Sequence, residues 1–205
     1  MSGTLYIIAA PSGAGKTSLV KALLEREPGI TLSVSYTSRA PRPGEEDGKH
    51  YHFVNRAVFE HMVATGQFYE SANVHGDYKG TSRAAVEPVL AAGGDVLLEI
   101  DWQGAQQVRA LCPGALSIFI LPPSRAELER RLRNRASDGE EQIRRRLADS
   151  RTEIARAGDF DFLVVNDEFA TALSDLRGIV QSQRLRADVQ IVRHRSLLND
   201  LLKPG

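Results

Sequence analysis

The chain has 205 residues, 42% of them hydrophobic, which is enough for one substantial core, and its 26 Lys plus Arg balance 26 Asp plus Glu. A net charge of zero excludes global attraction to nucleic acid or to an anionic membrane, so any charge-driven function is local. The single cysteine, Cys112, excludes an internal disulfide framework, no apolar run approaches membrane-spanning length, and Met1 to Ala10 lacks the basic start of a secretory leader, so a soluble, cytoplasmic protein is expected.

Thr4 to Ala10 is an apolar run that reads as a buried strand. It passes into Ala10-Pro11-Ser12-Gly13-Ala14-Gly15-Lys16-Thr17, and Leu19, Val20, Leu23 and Leu24 then mark a helix over 18–27. Strand, glycine-rich loop and helix in that order form the context of a phosphate-binding P-loop. Glycines let backbone N–H groups converge on phosphate oxygens, and the helix N-terminus adds partial positive charge. Lys16 would reach the β and γ phosphates of an ATP-like triphosphate, and the Thr17 hydroxyl would ligate the Mg²⁺ that bridges them. The usual first glycine is Ala10 here, one methyl group that a strand end accommodates.

From about Ser33 to Thr81 the rhythm changes to short β-prone pieces at 33–37, 51–54 and 68–74, with a turn-rich segment at 41–48 and an amphipathic helix near 56–65. This region reads as an insertion into the core. Beyond it, strands at 95–100, 116–121 and 162–165 alternate with helices at 104–111, 124–135, 140–157 and 168–185. Doubly buried strands alternating with helices predict an α/β fold, a three-layer core around a parallel sheet. The expected organisation is a single domain over 1–205, with core 1–32 and 82–186, a small α+β insertion at about 33–81 and a mobile lid at about 125–150. The apolar spacing of the tail, about 187–205, predicts a helical extension that packs on its own core or on another subunit, so monomer and homo-oligomer both stay open.

A P-loop alone leaves the reaction class open. Asp101-Trp102-Gln103-Gly104 formally matches the DxxG of a GTPase switch, but no N-K-x-D guanine-reading motif follows a later strand. The insertion is more informative. Ser35-Tyr36-Thr37-Ser38-Arg39-Ala40-Pro41-Arg42-Pro43-Gly44-Glu45, then Gly48-Lys49-His50-Tyr51-His52-Phe53, closely resembles the S-x-x-x-R-x-P-R-x-G-E…G-x-x-Y-x-F signature of guanylate kinases. Further matches stand at Phe68-Tyr69-Glu70, Lys79-Gly80-Thr81 and Glu99 to Gly104, and the resemblance runs from the P-loop to Asn166.

The resemblance implies transfer of the γ-phosphoryl group of ATP to GMP, and to dGMP, in purine nucleotide metabolism and GMP recycling. It assigns Ser35, Arg39, Arg42, Tyr51, Glu70, Thr81 and Asp101 to GMP, and Arg131, Arg135 and Arg146 to a lid that closes on the transferring group. Asn166 would lie near the adenine, and Glu99 would reach Mg²⁺ through water. The chemistry of these residue types agrees. Arg39 and Arg42 can clamp a dianionic phosphate while Tyr51 donates a further bond. Carboxylates at Glu70 and Asp101 suit the N1–H and N2–H₂ donors of guanine, and hydroxyls at Ser35 and Thr81 suit O6. Family members usually carry a tyrosine where this chain has Lys79, so either Lys79 supplies a cation to the GMP phosphate or Tyr78 substitutes with a shifted backbone.

Nine arginines against six acidic residues between Arg125 and Arg151 give the lid a local positive excess. Phosphoryl transfer spreads charge over equatorial oxygens, so positioning and positive charge provide most of the catalysis. Retention of Lys16, Thr17 and the lid arginines argues against a catalytically silent binding module on the same scaffold. His50 and His52 have no evident third metal ligand, and Cys112 reads as a packed or partly exposed thiol rather than a nucleophile.

Overall fold

In the computed structural model, which describes residues 3–74, 76–134 and 139–203, the strand before the P-loop is the centre of the molecule. This strand, β1 (Leu5–Ala9), is buried along its whole length. It pairs in parallel with β7 (Asp95–Glu99) and β8 (Leu116–Leu121). Beyond these lie β2 (Ile30–Leu32) and β9 (Phe162–Val165), giving a five-stranded parallel sheet in the order β2-β7-β1-β8-β9. Side chains alternate across a strand, so each face of β1 meets its own layer. Tyr6 and Ile8 pack with Leu19 and Leu23 of α1 (Lys16–Arg26) and with Leu176 and Val180 of α7 (Phe169–Arg184). Leu5 and Ile7 pack with Val86 of α3 (Arg83–Ala91) and with Ala105 and Val108 of α4 (Trp102–Leu111). These are the three layers expected from the sequence.

The insertion is a second, four-stranded mixed sheet in the order β4-β3-β6-β5. Its strands are β3 (Tyr36–Thr37), β4 (His52–Phe53), β5 (Phe68–Val74) and β6 (Asp77–Ser82). One helix, α2 (Arg56–Ala64), covers it, started by the Asn55 side chain accepting from the Val58 amide at 2.9 Å. Phe59 and Met62 of α2 close a small core with Phe68. Gly80 is required here by space, because a Cβ would lie 2.9 Å from the Glu70 carbonyl oxygen and 3.1 Å from Phe59 and Phe68 ring atoms.

On the other side of β1, α5 (Arg125–Arg133) and α6 (Glu140–Ile154) pack through Leu128, Leu132 and Ile143. The segment 135–138 of the expected lid lies outside the described residues. A 3-10 turn, Ala157–Asp159, then leads into β9. The tail beyond α7 forms two short helices, α8 (Ala187–Arg193) and α9 (Arg195–Leu201), neither of which buries a residue. No helix among the described residues is long and apolar enough to cross a membrane.

Three elements lie outside the sequence-based expectations: β2, α3 and β6. β2 is only three residues long with two of them exposed, too short to show a period. Pro88 inside α3 breaks the helical signal. Asp77, Lys79 and Gly80 give β6 a poor strand composition, and its antiparallel pairing with β5 overrides that propensity.

Candidate active site

Between the C-terminal edge of the parallel sheet and the inserted sheet lies a cleft of about 680 Å³. Ligands of open α/β sheets bind at that edge. One wall is the P-loop, from which Ala10, Pro11, Ser12, Gly13, Gly15, Lys16 and Thr17 line the cleft. Ala14 is wholly buried, and its carbonyl accepts a hydrogen bond from Asn166 Nδ2 at 2.7 Å. That contact explains Gly15, whose φ is 91° and where a Cβ would fall 2.4 Å from Asn166 Nδ2. Asn166 is thus a brace for the P-loop in this structure, tied to it by the amide expected to lie near adenine.

Lys16 stands at the start of α1 and donates to the Ile100 carbonyl at 3.0 Å. Burial pushes its ammonium below the ordinary value, while the Glu99 and Asp101 carboxylates hold it up. The Thr17 hydroxyl donates to Glu99 Oε1 at 2.7 Å, and both residues line the cleft. A hydroxyl and one carboxylate beside a phosphate loop are hard oxygen donors of the kind that hold Mg²⁺ together with a nucleotide's own phosphates. No group of three or more His, Cys, Asp or Glu that would hold a metal without such phosphates occurs among the described residues.

α6 contributes a face that sequence reasoning named only in part. Arg146, Asp149 and Glu153, at helical spacing i, i+3, i+7, all line the cleft. The signal available in the sequence was that spacing, counted forward from Arg146. Burial raises the Glu153 carboxyl above the usual range, against the pull of the Ser12 amide and of Lys16. Its Oε2 is buried without a hydrogen-bond partner, as is the Ser33 hydroxyl.

The inserted region contributes Ser35, Tyr51, Glu70 and Lys79 to the lining, and Asp101 joins them from the turn after β7, close enough for its charge to act on Lys16. Glu70, on β5, is 6% exposed, and its Oε1 accepts from the Thr81 hydroxyl at 2.7 Å. Burial raises its carboxyl to about 7, opposed by the Thr81 bond and reinforced by the Asp101 charge. Asp101 caps α4, with Oδ1 accepting from the Gly104 amide at 2.8 Å. Thr81 therefore stands behind Glu70 rather than in the cleft lining. The Lys79 ammonium lies 5.5 Å from the Tyr51 ring centre. Tyr78, its neighbour on β6, points to the other face, stacks on Phe59 at 5.3 Å and accepts from Arg56. Of the two ways to replace the missing tyrosine, the geometry has Lys79 facing the cleft.

Three of the expected arginines behave differently from Arg146. Arg39 does not line the cleft; it pairs with Glu45 through two 2.8 Å bonds and lies over the Tyr51 and Phe53 rings. Arg42 is exposed, also outside the lining, and its amide donates to the same Glu45 carboxylate. Arg131 sits behind the P-loop, bonded to Glu127, to the Ala14 carbonyl and to the Asn166 carbonyl. Arg135 lies outside the described residues.

The comparisons with known proteins agree with this geometry. The family described as guanylate kinase matches residues 2–183. A guanylate kinase from Methylobacillus flagellatus is 57% identical over 202 residues, covering 98% of this chain and 100% of that protein. One from Xylella fastidiosa is 55% identical over 204 residues, covering both chains completely. A crystal structure of guanylate kinase from Anaplasma phagocytophilum superposes with a TM-score of 0.74 at 32% identity, covering 91% of this chain and 88% of that one. With a P-loop facing a buried carboxylate across one cleft and relatives matched along their whole length, the chain belongs to the guanylate kinase family.

Proposed function

We propose that the cleft performs the reaction of its family, transfer of the terminal phosphoryl group of ATP to GMP to give ADP and GDP, with the P-loop wall as donor site and the wall of Glu70 and Asp101 as acceptor site. The observation that carries this division is that Lys16, at the start of α1, and Glu70, on β5 of the inserted sheet, line a single cleft. The P-loop amides from Ser12 to Thr17 and the Lys16 ammonium would hold the β and γ phosphates, and Thr17 and Glu99 would hold Mg²⁺. When bound, that ion neutralises charge on the nucleotide phosphates.

On the acceptor side, Glu70 and Asp101 would accept from guanine N1–H and N2–H₂, with Ser35 nearest the O6 edge and the Thr81 hydroxyl holding Glu70 from behind. Adenine would turn an unprotonated N1 toward those carboxylates and leave buried charge unpaired, a mismatch that discriminates by about 10⁴-fold. Tyr51 and Lys79 would take the acceptor phosphate, which fixes its oxygen in line with the γ-phosphorus. Arg39 and Arg42 would join them once the dianion competes with Glu45 for Arg39. Arg146, already on the cleft wall, would meet the charge that spreads over the transferring group, with Arg135 and Arg131 from the lid side. Closure of the 125–150 segment would exclude water, which otherwise competes for the phosphoryl group. These contacts involve base and phosphate only, so dGMP would serve as GMP does.

The test is product analysis: incubation with ATP, Mg²⁺ and GMP should yield ADP and GDP in equal amounts. Release of ADP and inorganic phosphate with no GDP would reject the acceptor assignment.

A further inference from the structure

Residue 104 is a glycine at the third position of α4, where alanine is the better helix former. Its φ is not positive, so the backbone conformation does not require glycine. Space does. A Cβ at this position would lie 3.0 Å from Glu70 Oε2 and 3.3 Å from both the Glu70 carboxyl carbon and Ile100 Cδ1. Glu70 has little freedom to withdraw, because its Oε1 is held by the Thr81 hydroxyl at 2.7 Å and the residue is 6% exposed. The same glycine acts on the second carboxylate, since its amide donates to Asp101 Oδ1 at 2.8 Å. The absent side chain also brings the Glu70 carboxylate close to the N-terminus of α4, where the helix dipole favours negative charge.

We infer that Gly104 is a specificity-determining positioning residue: its missing side chain admits Glu70 Oε2 while its amide fixes Asp101, so that one residue sets the spacing of the carboxylate pair presented to the purine edge. This rests on the reading that Glu70 and Asp101 recognise guanine. A Cβ at position 104 makes the Glu70 carboxylate give by a few tenths of an ångström, which strains its bond to the Thr81 hydroxyl and its register with the N1–H and N2–H₂ donors. The three atoms nearest that Cβ belong to the Glu70 and Ile100 side chains and none to the P-loop, so the loss falls chiefly on acceptor binding.

Four variants test it: Gly104→Ala, Glu70→Gln, Glu70→Asp, whose carboxylate is one methylene shorter, and Gly104→Ala combined with Glu70→Asp. Each is assayed for KM and kcat with GMP and with IMP, which lacks the 2-amino group, for KM with ATP, and for thermal unfolding. Gly104→Ala should raise the KM for GMP about tenfold, the loss of roughly one charge-assisted hydrogen bond. It should leave kcat and the KM for ATP within about twofold and narrow the preference for GMP over IMP. In the Glu70→Asp background the same substitution should cost distinctly less. An unchanged KM for GMP, or an equal rise for ATP, overturns the proposal. If Gly104→Ala alone does not fold, the double variant decides, because relief of the contact requires that it fold; failure of both overturns the proposal. A Glu70→Gln variant with normal GMP kinetics defeats the guanine reading itself. A damaged Glu70→Gln beside an undamaged Gly104→Ala defeats the role of Gly104 alone.

Discussion

The two walls of the cleft are built by different physics. The donor wall is mostly backbone, a loop fixed between the fully buried β1 and α1, and its parts are braced internally by Lys16 on the Ile100 carbonyl and by Asn166 on the Ala14 carbonyl. The acceptor wall is mostly side chains on a small mixed sheet with its own minor core. Glu70 is set in place there and Asp101 beside it at the start of α4, but Arg39 is held by Glu45 and Arg42 stands in solvent. On the proposed assignment the phosphate loop is ready before its ligand arrives, whereas the acceptor site has its base-reading half in place and its phosphate half still to assemble. Recognition by main chain comes with the fold; recognition by side chains has to be fixed contact by contact.

The sharpest way to separate the walls is through Lys16. Because it meets charge that develops during transfer, Lys16→Ala should lower kcat by about 10³-fold while the KM for GMP changes little, as steady-state kinetics would show. A variant that lost GMP affinity with normal kcat would dissolve the distinction. The counterpart on the other wall is Glu70→Gln, which should raise the KM for GMP by about 10 to 100-fold and leave ATP affinity near normal.

The smallest effect expected is a pH dependence. Burial puts the Glu70 carboxyl at about 7, above its ordinary 4.5, so the free protein carries a substantial share of the protonated acid near neutrality. The protonated group stabilises the fold relative to the ionised one; that contribution is complete below about pH 4.5 and is lost as pH rises through about 7. Guanine donors need the ionised form. GMP binding should therefore release a proton, and the KM for GMP should fall by about tenfold between pH 6 and pH 8. Glu70→Gln removes that titration, so the same pH series in the variant should lose this part of the profile, leaving only the titration of the GMP phosphate.

The donor wall was legible in the sequence because glycine spacing, lysine and hydroxyl follow one another without interruption in 10–17. The carboxylates at 70 and 101 were legible only by resemblance, since 31 positions separate two residues that the fold brings to one wall. Thr81 and Glu70 illustrate what spacing hides: an antiparallel register pairs them across β5 and β6 and turns an expected ligand into the support of another. Glu153 and Asp149 were missed because a helical face shows which residues share a side, not what that side meets. The arginines were the least legible. Their sequence positions say nothing of whether a guanidinium meets a ligand or a neighbouring carboxylate, and Arg39 and Arg131 meet protein partners here.

The central claim is that the acceptor wall reads the proton donors of guanine. The most direct test is the ratio of kcat/KM for GMP to that for AMP at saturating ATP. The account requires GMP to be favoured by about 10⁴-fold in the parent protein, with the ratio falling by about 10 to 100-fold in Glu70→Gln. Comparable turnover of AMP by the unaltered chain would contradict it.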